Sequence, residues 1–185
     1  MKNVIFQPYI GDKYYDSRYG VRVLVLGESH YGDKQDSASD FTQHVVKTHA
    51  LKAGLPFFSK LTNVLRGKTD YPSEQERNET WRHVAFYNYI QEFVGEEART
   101  APTTDMWTSA QLPFIEVVRQ LEPDVILVLG SRLWNRMPEL PPEYPVEWCS
   151  ILHPSSGMAY EPAIAALAAS IKKVTCSPLI STPRC

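Results

Sequence analysis

Cysteine is scarce in this 185-residue chain: Cys149, Cys176 and Cys185 are the three present. An odd number without short spacing argues against a disulfide framework or a zinc site. Three thiolates also fall short of the four that hold an iron–sulfur cluster. No metal and no cofactor is therefore expected. Long apolar runs are absent as well. Nothing approaches the roughly 18 to 20 residues of a membrane span, so no membrane partner is expected. The opening run Met1-Lys2-Asn3-Val4-Ile5-Phe6 has neither a long apolar core nor a small-residue cleavage site. That argues against a signal peptide and for a cytoplasmic location. A charge excess is missing too, with a formal net charge of −2. Bulk charge does not draw the chain to nucleic acid, and any such contact has to come from a local patch.

What is present suits one compact domain over residues 1–185. Hydrophobic residues make up 43% and charged residues 22%, an ordinary balance for a soluble globular protein with a sizeable core. No repeat, low-complexity tract or linker divides it. Val21-Arg22-Val23-Leu24-Val25-Leu26-Gly27 reads as a buried strand, short, β-branched and nearly continuous in apolar residues. Val125-Ile126-Leu127-Val128-Leu129-Gly130 is a second such run. Val84-Ala85-Phe86-Tyr87-Asn88-Tyr89 and Glu147-Trp148-Cys149-Ser150-Ile151-Leu152 are weaker strand candidates.

Helical patterns lie between these runs. Phe58, Leu61, Thr62 and Leu65 share one helical face. Ser73-Glu74-Gln75-Glu76 is a capping-box start after Pro72. Phe114, Val117, Val118 and Leu121 fall at helical spacing before Glu122-Pro123. Ile164, Leu167, Ala168 and Ile171 do the same after Pro162, a good first-turn residue. Such alternation predicts an α/β domain, a three-layer αβα sandwich around a mostly parallel four-stranded sheet. Residues 138–145 read as a rigid Pro-rich surface connection, residues 100–108 as a loop, and the tail from Ser177 as loosely held. In open parallel sheets ligands bind beyond the carboxyl ends of the strands, where strand order reverses. The segments that follow the four strands are residues 28–32, 88–91, 131–136 and 153–160. Three of them are unusually polar.

Taken in order, these segments resemble the uracil-DNA glycosylase superfamily. Its first motif follows the first strand as G-Q-D-P-Y-H, or as G-E-A-P-G in another branch. Here the strand is followed by Gly27-Glu28-Ser29-His30-Tyr31-Gly32. Its second motif, H-P-S-P, is matched after the last strand by His153-Pro154-Ser155-Ser156. Between them the family has an apolar strand ending in an Asn that reads the base, similar to Val84-Ala85-Phe86-Tyr87-Asn88. The stretch Leu121-Glu122-Pro123-Asp124 leading into Val125-Ile126-Leu127-Val128-Leu129-Gly130 resembles the family's third strand and the helix end before it. The likeness covers roughly residues 20–173 in family order. The chain also departs from the pattern. Ser29 stands where one branch has the Asp that positions the attacking water, His30 replaces the motif Pro, and the cluster cysteines of another branch are missing.

The resemblance implies a monofunctional DNA glycosylase acting on uracil or another modified or damaged base. DNA carrying that base would be the partner, and the chain would be a monomer. Cleaving a base from deoxyribose develops positive charge on the sugar and negative charge on the base. A useful catalyst donates hydrogen bonds to the leaving base and places a water at the sugar carbon. His153 is the candidate donor; the alternative is a His that only anchors its loop. Asn88 offers one acceptor and two donors to an amide-like base edge, or else it merely ends a strand. Glu28 and His30 compete for handling the water, and Ser29 would orient it without charge. Alternatively Glu28 bonds only loop amides and His30 a phosphate.

Other roles follow from the same resemblance. A base-stacking aromatic is implied near Phe57 and Phe58, with one of the pair stacking and the other in the core, or both in the core. Tyr31 would crowd the base C5 position and exclude thymine. Ser155, Ser156 and Gly157 would present donors to DNA phosphates, and Met158 would enter the vacated base stack as a wedge; the alternative for all four is an ordinary polar turn. Lys60, Arg66, Lys68, Arg77 and Arg82 form a locally basic region, a DNA contact or a solvated face.

Two other functions compete. One is a catalytically inactive nucleotide- or nucleic-acid-binding module of the same fold, favoured by the missing Asp and the mildly acidic balance. The other is a serine hydrolase with Ser29 on the turn, but Tyr31 occupies the last Gly of the G-x-S-x-G elbow. No Lys is singled out for Schiff-base chemistry, so water is the expected nucleophile. No His/Asp/Glu set has recognised metal-ligand spacing.

Overall fold

The computed structural model describes residues 1–32, 38–95 and 100–176. Its sheet has strands β1 (Tyr9–Ile10), β2 (Val23–Gly27), β3 (Val84–Asn88), β4 (Val125–Leu129) and β5 (Glu147–Ile151) in the order β1-β3-β2-β4-β5. The four strands expected from apolar runs are all there and pair in parallel. The sheet is nevertheless five-stranded and mixed, because β1 pairs antiparallel to β3 at one edge. Two residues carry no readable alternation, which is why this strand is silent in the sequence. Every residue of β2, β3 and β4 is buried. This is why they read as continuous apolar runs rather than alternating ones.

The helices are α1 (Phe41–Val45), which runs on into a π-helical turn (Val46–Ala50), α2 (Pro56–Arg66), α3 (Glu74–Trp81), α4 (Thr104–Ser109), α5 (Gln111–Leu121), α6 (Ser131–Trp134) and α7 (Tyr160–Thr175). On one sheet face Val23, Val25, Val84, Phe86, Leu127 and Ile151 pack against α2, α3 and α7. On the other, Leu24, Leu26, Ala85, Tyr87, Ile126 and Val128 pack against α4, α5 and α6. The period-two alternation of strand side chains divides the core in this way.

Local chemistry accounts for the ends of α2 and α3. Pro56 opens α2, and Gly67 closes it at φ 68°, a left-handed position where a Cβ is costly. Ser73 and Glu76 make both bonds of the capping box on α3. Residues 100–108, read as a loop, instead supply most of α4. The Thr103 side chain accepts from the Met106 N–H, Asp105 sits in the first turn, and buried Trp107 anchors the helix to the second core. One aromatic anchor in a polar stretch gives no periodicity to detect. The Pro-rich stretch borders a cleft of about 620 Å³ lined by Trp134, Met137, Tyr144 and Trp148. That cleft holds none of the residues expected to do chemistry. The tail from Ser177, with Cys185, lies outside the described residues. Among those described, no helix is long and apolar enough to cross a membrane.

Candidate functional site

The chain leaves β2 to build β3 on one side and then crosses back to build β4 on the other. The order therefore reverses between β2 and β4, and ligands of open α/β sheets bind at such a point. Glu28 follows β2 and Arg132 lies in the turn of helix that follows β4. They meet across this gap: Arg132 Nε donates to Glu28 Oε2 at 2.7 Å, and Nη2 donates to Oε1. The Glu28 side chain is largely buried, while that of Arg132 is half exposed. Arg132 was not singled out in the sequence. Its one signal was its place in the segment after an apolar strand.

Asn88, Gly27 and His153 each stand two residues beyond a strand residue of the α2/α7 core, Phe86, Val25 and Ile151. Strand alternation brings all three to the same face at the same sheet end. Two loops run side by side there. Tyr89 N–H donates to Gly27 O at 2.9 Å, Ile90 N–H to Glu28 O at 2.8 Å, and Val94 N–H to His30 O at 3.3 Å. Gln91 is buried between them, donating to Asn88 O at 2.8 Å and accepting from the Phe6 N–H at 2.9 Å. Gln91 thus fixes the backbone from which Asn88 projects.

Gly27 lacks a side chain for a visible reason. A Cβ there would lie 2.1 Å from Asn88 Oδ1 and 3.2 Å from Phe86 Cζ. The amide of Asn88 occupies that space, with its oxygen over the Gly27 Cα. Gly27→Ala is expected to push the amide off its partner, breaking a buried hydrogen bond that contributes about 1 to 3 kcal/mol. Melting of the variant should fall by roughly 3 to 10 °C. An unchanged melting temperature contradicts this packing.

That partner is His30. Asn88 Nδ2 donates to His30 Nδ1 at 3.1 Å, and His30 Nε2 bonds Thr42 Oγ1 at 2.8 Å. His30 is 4% exposed and Asn88 6%. Phe6 and Phe41 stand edge-on to the imidazole, with centroids 5.3 and 4.9 Å away. Burial alone pushes the His30 pKa down to about 3, so the ring is neutral at pH 7. Both nitrogens are occupied and the ring is sealed from solvent. His30 therefore does not fit the water-handling role expected of it; it supports Asn88. Thr42 has no signal in the sequence, being a lone Thr in a short helix.

His153 lies over the start of α2. Its ring is 5.2 Å from that of Phe57, tilted by 37°. Gly130 leaves room behind it, where a Cβ would be 3.1 Å from His153 Cβ. The Ser155 N–H donates to His153 Nδ1 at 3.2 Å. In the neutral ring the proton then sits on Nε2. Burial lowers the His153 pKa below 6.5, with the Glu28 charge opposing and the Arg132 charge assisting. The loop is held from α2, where Lys60 Nζ donates to Pro154 O at 2.9 Å.

Several expected residues fall elsewhere. Phe58 is 3% exposed, edge-on to Trp81 and Phe86 in the core, which leaves Phe57 as the aromatic at the site. Met158 is 7% exposed and packed in the α2/α7 core, so it is no wedge. Ser155, Ser156 and Gly157 are exposed, and Gly157 takes φ 76°. Ser29 is half-buried on the turn, and Tyr31 is exposed near Arg132. The basic region is largely neutralised. Arg66 pairs with Glu76 and Asp70, Lys68 with Glu76, and Arg82 with Asp12 and Glu79. Arg77 is fully buried against Ser59. Of that group only Lys60 reaches the site.

What has been assembled is an imidazole whose Nε2 has no hydrogen-bond partner among the described residues, an aromatic face beside it, an oriented amide, and a carboxylate held by a guanidinium. No protein-family model matches the chain, and no curated protein matches it.

Proposed function

We propose that this chain is a monofunctional DNA glycosylase of the uracil-DNA glycosylase type, a three-layer sandwich that hydrolyses the N-glycosidic bond of a uracil-like or otherwise modified base. What supports this reading is that the Asn88 amide lies against Gly27, the residue before Glu28, while His153, beside Phe57, feels the charges of Glu28 and Arg132. Two segments more than sixty residues apart in sequence end on the same edge, with the chemistry that an extruded base requires. The flipped base stacks on Phe57 and is read along its edge by Asn88. His153 donates its Nε2 proton to the hydrogen bond that stabilises charge growing on the departing base. Glu28, held by Arg132, orients the water on the sugar side, with Ser29 beside it as an uncharged second contact. Tyr31 lies at the mouth, and the backbone of Ser155, Ser156 and Gly157 faces the phosphates.

The test is base release from a panel of single- and double-stranded oligonucleotides carrying uracil, hypoxanthine, xanthine or a substituted cytosine. Alkaline scission after incubation reads the abasic product. The reading expects scission for at least one base, and loss of it in Asn88→Ala. Phe57→Ala is expected to raise KM roughly 5- to 150-fold, the effect of losing about 1 to 3 kcal/mol of base stacking, with a smaller change in kcat.

One observation favours a second reading, a binding module without catalysis. Both Glu28 carboxylate oxygens are engaged by Arg132, and the next residue on the turn is the uncharged Ser29. Tight binding of the oligonucleotides without scission of any would select it.

A further inference from the structure

The cleft beside the Pro-rich stretch lies on the α4/α5/α6 side of the sheet, whereas Phe57 and His153 stand on the α2/α7 side. Its shape follows from the residues that build it. Pro138, Pro141, Pro142 and Pro145 cannot continue α6, and each holds φ at about −65°. The Tyr144 N–H donates to Pro141 O at 2.9 Å and closes a turn within the stretch. Met137, Leu140, Tyr144, Val146 and Trp148 pack against the core behind them. The wall is thus held from behind by the core and along its rim by proline. A guest that enters orders little of the chain, which keeps the cost of binding low. The volume, about 620 Å³, falls within the range of small-molecule sites.

Two tryptophans stand together in this wall. The rings of Trp134 and Trp148 have centroids 6.0 Å apart and planes 70° apart. They come from different elements, the last residue of α6 and the second of β5. Phe114 braces Trp148 from the core at 6.3 Å, while Trp134 is 40% exposed. Tyr144 adds a third aromatic ring to the lining. Among the described residues that line the cleft, Glu139 alone carries a charge. Arg136, three residues earlier, has its guanidinium over Trp107 instead, 5.7 Å from the ring centroid.

These features select the chemistry of the guest. The face of an aromatic ring carries negative potential and attracts a cation within about 6 Å of its centroid. Two rings set at a wide angle present their faces to one position. A carboxylate on the same wall attracts the same sign of charge. Prolines and rings alone would suit a neutral guest, and Glu139 favours a positive one. A primary ammonium gives up strong hydration on entering an apolar wall. A quaternary ammonium carries its charge beneath methyl groups, which rings and prolines accept.

We propose that this cleft binds a small quaternary ammonium compound, its cationic head held by Trp134 and Trp148, with Tyr144 and Glu139 completing the surround. The site is separate from base excision and does not depend on it.

Choline is the probe, titrated into the full chain at constant ionic strength. Saturation transferred from the protein to the N-methyl protons in NMR reads binding and gives Kd. Two controls divide the chemistry. The carbon isostere of choline, with a tert-butyl group in place of the trimethylammonium, keeps the shape without the charge. Ethanolamine keeps the charge without the methyl groups. Choline is expected to bind at least about tenfold tighter than either. Trp134→Ala is expected to weaken choline by at least about tenfold, and Trp134→Phe by less. Glu139→Gln is expected to weaken choline about two- to fivefold and leave the isostere unchanged, since an exposed carboxylate contributes modestly.

Equal affinity for choline and its isostere makes the cleft a plain apolar one and overturns the proposal. Absence of saturable choline binding overturns it too, as does undiminished binding by a folded Trp134→Ala. A proline-rich peptide that binds where choline does not shows a groove for an extended chain, with the same consequence. If Trp134→Ala does not fold, the wild-type comparison of choline with its isostere decides.

Discussion

His153→Ala should lower kcat for base release by about 10²- to 10³-fold and leave KM nearly unchanged. The imidazole sits beside Phe57 with Nδ1 receiving the Ser155 N–H, so the Nε2 proton is the one free to act. A donor aimed at charge that develops only in the transition state is worth about 3 to 4 kcal/mol there and little in the ground state. His153→Gln keeps an N–H at a comparable reach and should recover part of the loss. The fold should tolerate both changes, because the ring is half-buried on a loop rather than in the core. Single-turnover kinetics on the best base of the panel measures the effect. A His153→Ala variant with wild-type kcat shows that the imidazole only anchors its loop.

The parallel strands were legible because burial on both faces writes a continuous apolar run, as in Val125-Ile126-Leu127-Val128-Leu129. The helix starts at Ser73 and Pro162 were legible because caps and first-turn prolines act locally. That the segments after β3 and β5 reach the same end of the sheet was legible, because their strands run parallel. What was hidden depended on partners distant in sequence. Arg132 reveals itself only when α6 is laid against the turn after β2, 104 residues earlier. Thr42 acquires a role only through an imidazole 12 residues before it. The composition of residues 60–82 looked basic, but pairing with Asp12, Asp70, Glu76 and Glu79 cancels most of it. His30 and Met158 were given chemical roles on motif position, and burial assigns them structural ones.

Acid should unfold this protein in a way that His30 dominates. The folded chain holds His30 neutral down to about pH 3, whereas in the unfolded chain it protonates near 6.5. Below 6.5 the unfolded state therefore binds the extra proton, and folding stability falls as pH falls. The slope reaches about 1.4 kcal/mol per pH unit, or on the order of 3 kcal/mol between neutral pH and about pH 4. His153, also held below its ordinary value, adds loss of the same sign. Glu76, its pKa lowered to about 2 chiefly by bonds from Ser73, loses its contribution only at lower pH, as it protonates. Comparing wild type with His30→Gln isolates the His30 part. Urea unfolding across this range should show the wild type losing about 3 kcal/mol relative to the variant as pH falls. Parallel stability curves contradict a buried neutral His30.

The most direct measurement is excision in ¹⁸O-labelled water, with mass spectrometry of both products. Cleavage of the bond from sugar carbon to base, with water adding to that carbon as the base leaves, predicts free base and an abasic sugar carrying one ¹⁸O atom, with neither formed by His153→Ala at comparable times. Intact oligonucleotide for every base in the panel, or a protein–DNA adduct trapped by borohydride, contradicts the account.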